Sequence, residues 1–132
     1  MLSEQIYTAH GKRTARRVLD TQPFTVEVSF EEQGKLLGLE GGNIGTYTSS
    51  PRPDGTLAGG GQGIFACADG EVITWKGIGT GKLKAGGAVS YRGALTFNAM
   101  SQRLSRLNAI AGVFEFDVDE GGNTTTQIWE WK

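Results

Sequence analysis

The sequence predicts an all-β protein, a single eight-stranded antiparallel up-and-down barrel. Three observations carry that expectation. Apolar and polar residues alternate with a period of two along most of the chain, and helical spacing is nearly absent. Turn signals recur at short intervals between the alternating stretches. Glycine occurs 21 times in 132 residues, where ordinary usage would give about nine. These glycines sit among Val, Ile, Phe, Tyr and Trp, not in a repeat or a linker. Glycine inside a strand marks a bend, a bulge or the close approach of something bulky.

The pattern places strands at 12–19, 24–33, 36–49, 56–67, 71–83, 87–98, 109–119 and 123–131. Residues 1–11 read as a loose or partner-bound N-terminal arm, and 12–132 as the barrel domain. Phe24, Val26, Val28 and Phe30 alternate with Thr25, Glu27, Ser29 and Glu31, a half-buried strand. A tight turn at Gln33-Gly34 would pair Phe30 with Leu37 and Val28 with Leu39. That register turns Asn43, Gly45 and Tyr47 inward. Asp69-Gly70 is the strongest hairpin signal; a two-residue loop there sets Ile64 beside Trp75, Ala66 beside Ile73 and Gln62 beside Gly77, all inside.

A three-residue loop at Ala85-Gly86-Gly87 then sets Tyr91 against Gly81, Leu95 against Gly77 and Phe97 against Trp75. Large side chains would lie over glycines there. An even loop would bury Arg92 and Asn98 instead. Met100, Leu104 and Leu107 give a short helix near 100–107. The last hairpin turns at Glu120-Gly121-Gly122-Asn123. With an even loop, Phe114, Phe116 and Val118 share a face with Gln127, Trp129 and Trp131, while Glu115, Asp117 and Glu130 meet solvent. Val72, Ile78, Val113 and Ile128 become apolar residues on outward faces, where a partner copy could cover them.

Composition excludes several classes of function. A net charge of −1 exerts no general pull on nucleic acid or an anionic membrane. No stretch reaches the roughly 20 apolar residues of a membrane-spanning helix. The start lacks the basic and apolar segments of a secretory signal, and Cys67 is the only cysteine, so a cytoplasmic location is expected. One His and one Cys cannot build a zinc site, and no metal or cofactor is expected. The acidic turn at 117–122 lacks ligands of a calcium loop, and Ile128 stands where its closing Glu belongs. Lys76 and Leu83 break the phosphate-loop pattern around Gly77-Ile78-Gly79-Thr80-Gly81-Lys82. His10 reads as an exposed surface residue. Lys12, Arg13, Arg16 and Arg17, with no aromatic platform among them, read as a solvated face or an oligomer contact.

What remains is the interior. Asn43, Tyr47, Gln62, Trp75, Tyr91, Phe97, Phe114, Gln127 and Trp129 are the candidate ligand-binding residues: aromatic walls with uncharged polar groups among them. The same set suits a polar network that satisfies itself in a filled core. Glu40 or Glu115 would supply an inward carboxylate only through a bulge.

Gly59-Gly60-Gly61-Gln62-Gly63, Trp75-Lys76-Gly77-Ile78-Gly79-Thr80-Gly81 and Ala111-Gly112-Val113-Phe114-Glu115-Phe116 resemble segments of small bacterial proteins of unknown function that are similar to the allene oxide cyclase-like barrel group. The likeness covers about residues 20–132. It implies an eight-stranded antiparallel barrel, often dimeric or higher, that encloses an apolar, flexible substrate and works through shape and a few polar side chains. Asn43 and Gln62 are the residues that would supply an amide under that resemblance. Two functions follow: a barrel that binds, isomerises or cyclises a small apolar uncharged ligand, or a non-catalytic interaction module acting as a homo-oligomer with a filled core.

Overall fold

A computed structural model describes residues 2–132. Eight antiparallel strands close on themselves in sequence order: β1 (Leu2–Thr21), β2 (Phe24–Leu36), β3 (Leu39–Pro51), β4 (Leu57–Cys67), β5 (Val72–Leu83), β6 (Val89–Ala99), β7 (Ala111–Val118) and β8 (Asn123–Trp131). The predicted up-and-down barrel is the observed one. Closure by the β1–β8 pairing leaves no free sheet edge. Among the described residues, no helix is long and apolar enough to cross a membrane.

The N-terminal arm is not an arm. Residues from Leu2 onward belong to β1, which pairs with both β2 and β8. Ile6, Tyr7 and Ala9 are buried in the core, Ile6 and Tyr7 side by side where the β1–β8 pairing is irregular. The buried set is short and is followed by a charged run, so period-two reading gave the early residues no weight.

Four hairpins share one loop geometry. Pro53-Asp54-Gly55, Ala68-Asp69-Gly70, Ala85-Gly86-Gly87 and Glu120-Gly121-Gly122 each end on a glycine with φ between +83° and +96°. In each, the residue before the loop donates its N–H to the carbonyl of the residue after it, at 2.7–2.9 Å. A three-residue loop closed by a left-handed glycine is a standard hairpin form. Asp69 and Asp119 brace two of these loops by accepting backbone N–H bonds, from Glu71 at 3.2 Å and from Gly121 and Asn123 at 2.9 and 2.8 Å. Those bonds, with Arg103 beside Asp69 and the Asn123 amide beside Asp119, hold both carboxyls below the usual range.

This geometry reverses two predicted facings. Around Asp69-Gly70 the partners are Phe65 with Ile73 and Gly63 with Trp75. Gln62, Ile64 and Ala66 therefore face outward, while Phe65 and Cys67 are buried. Around Gly121-Gly122 the partners are Phe114 with Ile128 and Phe116 with Thr126. Thr124, Thr126, Ile128 and Glu130 are buried, Gln127 and Trp129 face outward and half-buried, and Trp131 is exposed. Each miss is one residue of loop length, and one residue flips every side chain beyond it.

The β2–β3 turn lies at Leu37-Gly38, both with positive φ, and not at Gln33-Gly34. The shift is even, so Val28, Phe30, Asn43 and Gly45 keep their inward facing as predicted. It also carries β2 on from the predicted end at Gln33 to Leu36, so Glu32 lies within the strand and its side chain points inside. Phe24, expected inside, lies at the strand end and is half exposed. The β5–β6 register is the predicted one, including Tyr91 against Gly81 and Phe97 against Trp75.

One end of the barrel is plugged by residues 100–110, where a 3₁₀ turn (Ser105–Ala109) stands in place of the expected helix. Leu104, Leu107 and Ile110 enter the core with Leu36, Phe65, Ile73 and Ala99. Asn108 accepts the N–H of Ala99 at 2.7 Å and donates to its carbonyl at 3.1 Å. Arg106 bridges to Glu130 at 2.6 Å and Glu4 at 2.9 Å, and Arg103 pairs with Asp69 and Glu71. A second cluster, built on Phe30, Leu57, Tyr91, Phe116 and Val118, fills the other end.

Candidate functional site

Between the two clusters the barrel is hollow. The cavity measures about 80 Å³ by the centre of a water-sized sphere, well above the roughly 10–15 Å³ that one water needs. Its wall is made by Phe30, Trp75, Tyr91, Phe97, Phe114 and Phe116 among others. Glycine lets the large side chains lie close to the strands: a Cβ at Gly59, Gly61, Gly77 or Gly79 would come within 2.7–3.2 Å of Tyr91, Tyr47, Leu95 or Phe114. Gly59, Gly61, Gly77 and Gly79 line it without side chains.

At Gly63 the clearance is occupied by Trp75. A Cβ there would lie 2.4 Å from the indole, inside any real contact distance. Gly63→Ala is expected to destabilise the barrel by about 2 kcal/mol, the usual scale for overpacking a core. Denaturant titration measures it, and Trp75 emission should shift because the ring must turn.

A polar chain crosses the interior. Glu32 on β2 is 1% exposed. Its Oε2 accepts the hydroxyls of Thr124, at 3.0 Å, and Thr126, both on β8. Its Oε1 accepts Tyr7 Oη at 3.2 Å and Asn43 Nδ2 at 3.4 Å. Asn43 Oδ1 in turn accepts Trp75 Nε1 at 2.8 Å. The network therefore joins β1, β2, β3, β5 and β8 through one carboxylate. All four groups on Glu32 are donors, the pattern an acceptor-only side chain requires. Burial first, then the neighbouring Glu32 charge, pushes the Tyr7 phenol far up, so it remains a donor.

Two further tyrosines face the cavity. Tyr91 Oη lies 2.6 Å from Ser49 Oγ, and burial raises its phenol. Tyr47 packs edge-on against Tyr91 and Phe116. Burial raises it strongly, and Tyr91 adds to that.

Six of the nine residues singled out from the sequence meet here: Asn43, Tyr47, Trp75, Tyr91, Phe97 and Phe114. Gln62, Gln127 and Trp129 do not, because the two three-residue loops turn them outward. Sequence reading missed Glu32, Tyr7, Thr126, Phe65 and Ile128. The expectation of an interior without a carboxylate is corrected by Glu32, and neither Glu40 nor Glu115 is the residue involved. Phe30 and Glu32 share the inward parity of β2, so the strand alternation contains the signal once the turn is moved. Among the described residues, no three His, Cys, Asp or Glu side chains cluster as a metal site would need. His10 is exposed on β1.

No protein-family model and no curated protein matches the sequence. Solved structures do. A protein of unknown function from Clostridium acetobutylicum ATCC 824 superposes with a TM-score of 0.83 at 11% identity, over 99% of this chain and 98% of that one. A beta-barrel like protein from Acinetobacter baumannii AYE gives 0.83 at 14%, over 100% and 96%. An enzyme from Penicillium herquei gives 0.71 at 17%, over 96% and 92%. The shared property is the barrel. At these identities the likeness speaks to fold.

Proposed function

We propose that the barrel interior binds a small, predominantly apolar molecule. The observation that carries this reading is the cavity itself: a closed barrel keeps a hollow, aromatic-walled space in its interior. Trp75, Tyr91, Phe97, Phe114 and Phe116 supply the walls. Asn43, Tyr47 and Glu32 supply the polar side, and Tyr47 Oη makes no hydrogen bond with the described residues, which leaves it free for a ligand. If chemistry occurs, it is of the isomerase or cyclase type implied by the resemblance to allene oxide cyclase-like barrels. Enclosure would hold a flexible substrate in a reactive conformation, and the tyrosine or amide groups would stabilise developing charge. The enzyme among the structural neighbours is compatible with that extension.

The test is chemical-shift mapping of ¹⁵N-labelled protein against a panel of small apolar and amphipathic molecules. Saturable shifts at Gly77, Gly79 and the Trp75 indole are expected with one chemical class. Shifts confined to outward residues, or none, would sink the reading.

A second reading rests on the outer surface. Ile44 and Ile64 are direct cross-strand partners, 58% and 49% exposed, and Ile78 is 72% exposed. An apolar face of this kind favours a homo-oligomer, dimeric or higher. Sedimentation as a monomer at all concentrations would remove it.

A further inference from the structure

Among the described residues, Glu32 is the only charged one lining the cavity. No cation pairs with it among the described residues. Arg13 comes nearest in register, since Gly11 faces Glu32 and Arg13 faces Phe30 across the ladder. Its guanidinium runs instead to the β7–β8 loop, where a Cβ on Gly122 would lie 3.3 Å from Nη2. The other titratable groups on the lining are Tyr7, Tyr47 and Tyr91, all kept neutral by burial. The lining a ligand would meet therefore carries one negative charge without a direct cation partner, the nearest cationic influence being Arg13, which acts against the rise of the Tyr47 phenol. Burying a carboxylate without a counter-charge is costly even when neutral donors surround it.

The two carboxylate oxygens are not held alike. Oε2 is gripped by Thr126 and by Thr124 at 3.0 Å, whereas the contacts on Oε1, at 3.2 and 3.4 Å, are long. Oε1 thus has capacity for a stronger donor. Trp75 and Phe30, with ring centroids 6.4 Å apart, also line the space, and aromatic faces attract cations.

Building on the cavity-binding reading, we propose that the cavity selects ligands that carry a protonated amine on an apolar body, with the ammonium on Glu32 Oε1. A charge-assisted hydrogen bond and the aromatic faces would both favour it over a neutral isostere. An anionic ligand of the same size would be rejected.

The test compares hexylammonium, 1-hexanol and hexanoate on the wild-type protein by calorimetry at neutral pH, where an alkylammonium is charged. Hexylammonium is expected to bind about tenfold or more tightly than hexanol, the scale of one charge-assisted bond. Hexanoate is expected to bind more weakly than either. Because the comparison uses one folded protein, it does not depend on any variant. Glu32→Gln, which keeps the shape and removes the charge, should bring hexylammonium down to the level of hexanol. Hexanol or hexanoate binding as tightly as hexylammonium would overturn the charge assignment and leave the cavity reading standing. So would Glu32→Gln protein that folds and binds hexylammonium unchanged. Failure of all three probes to bind would overturn both.

Discussion

Replacing Glu32 with alanine is expected to cost about 4 kcal/mol of stability, the scale of several buried donors losing their acceptor together. The loss strands four donors at once: Tyr7 Oη, Asn43 Nδ2 and the Thr124 and Thr126 hydroxyls. Each buried group left without a partner carries its own desolvation penalty of roughly 1–3 kcal/mol, only part of which relaxation and water entry recover. The cross-link from β2 to β8 disappears with the side chain, so closure of the barrel weakens where the first and last strands meet. Glu32→Gln should lose less, since its amide oxygen still accepts two of the four bonds. Denaturant melts of wild type and the two variants give the result. Equal stability of Glu32→Ala and wild type would mean that the network does not hold the barrel shut.

The plug is the second sensitive point. Leu107→Ala is expected to destabilise the protein by about 3–4 kcal/mol, within the range for leucine truncation at a fully buried site. Leu107 is 0% exposed. It sits in a five-residue 3₁₀ segment with little hydrogen bonding of its own, so packing, and the two arginine clusters at its flanks, must keep the segment on the barrel end. Hydrogen exchange at residues 100–110 should rise before global unfolding, because a loosened plug opens locally. A loss below 1 kcal/mol with unchanged exchange would place the strength of that end in the strands alone.

The strand alternation made the barrel legible, and the rest turned on loops. In the β5–β6 hairpin the polar residues Arg92 and Asn98 would have been buried by the wrong loop length, so the right one was forced. Around Asp69-Gly70 no such penalty existed: Gln62, Ile64 and Ala66 could lie on either face without an obvious fault. Around Gly121-Gly122 the tryptophans invited burial, yet Trp131 is 60% exposed. The common x-Asp/Gly-Gly loop form would have resolved both, since its left-handed glycine sits third and demands an odd count.

Glu32 was hidden for a different reason. A carboxylate next to Gln33-Gly34 looks like a turn residue, and only the spatial company of Tyr7, Thr124 and Thr126 makes its burial tolerable. Those partners are 25 to 94 residues away in sequence, out of reach of any local pattern. Tyr7 was lost with it, because the strand that carries it was read as an arm.

The most direct test of an open interior uses Trp129→Phe/Trp131→Phe protein, which leaves Trp75 as the sole tryptophan. Both removed residues face outward, so the cavity is untouched. Trp75 emission would be followed while small apolar, amphipathic and amine-bearing molecules are titrated. A saturable change with one chemical class is the result expected of a binding cavity. Emission that is already blue and does not respond to any of them would contradict it, and would mean that the interior is closed to ligands in solution.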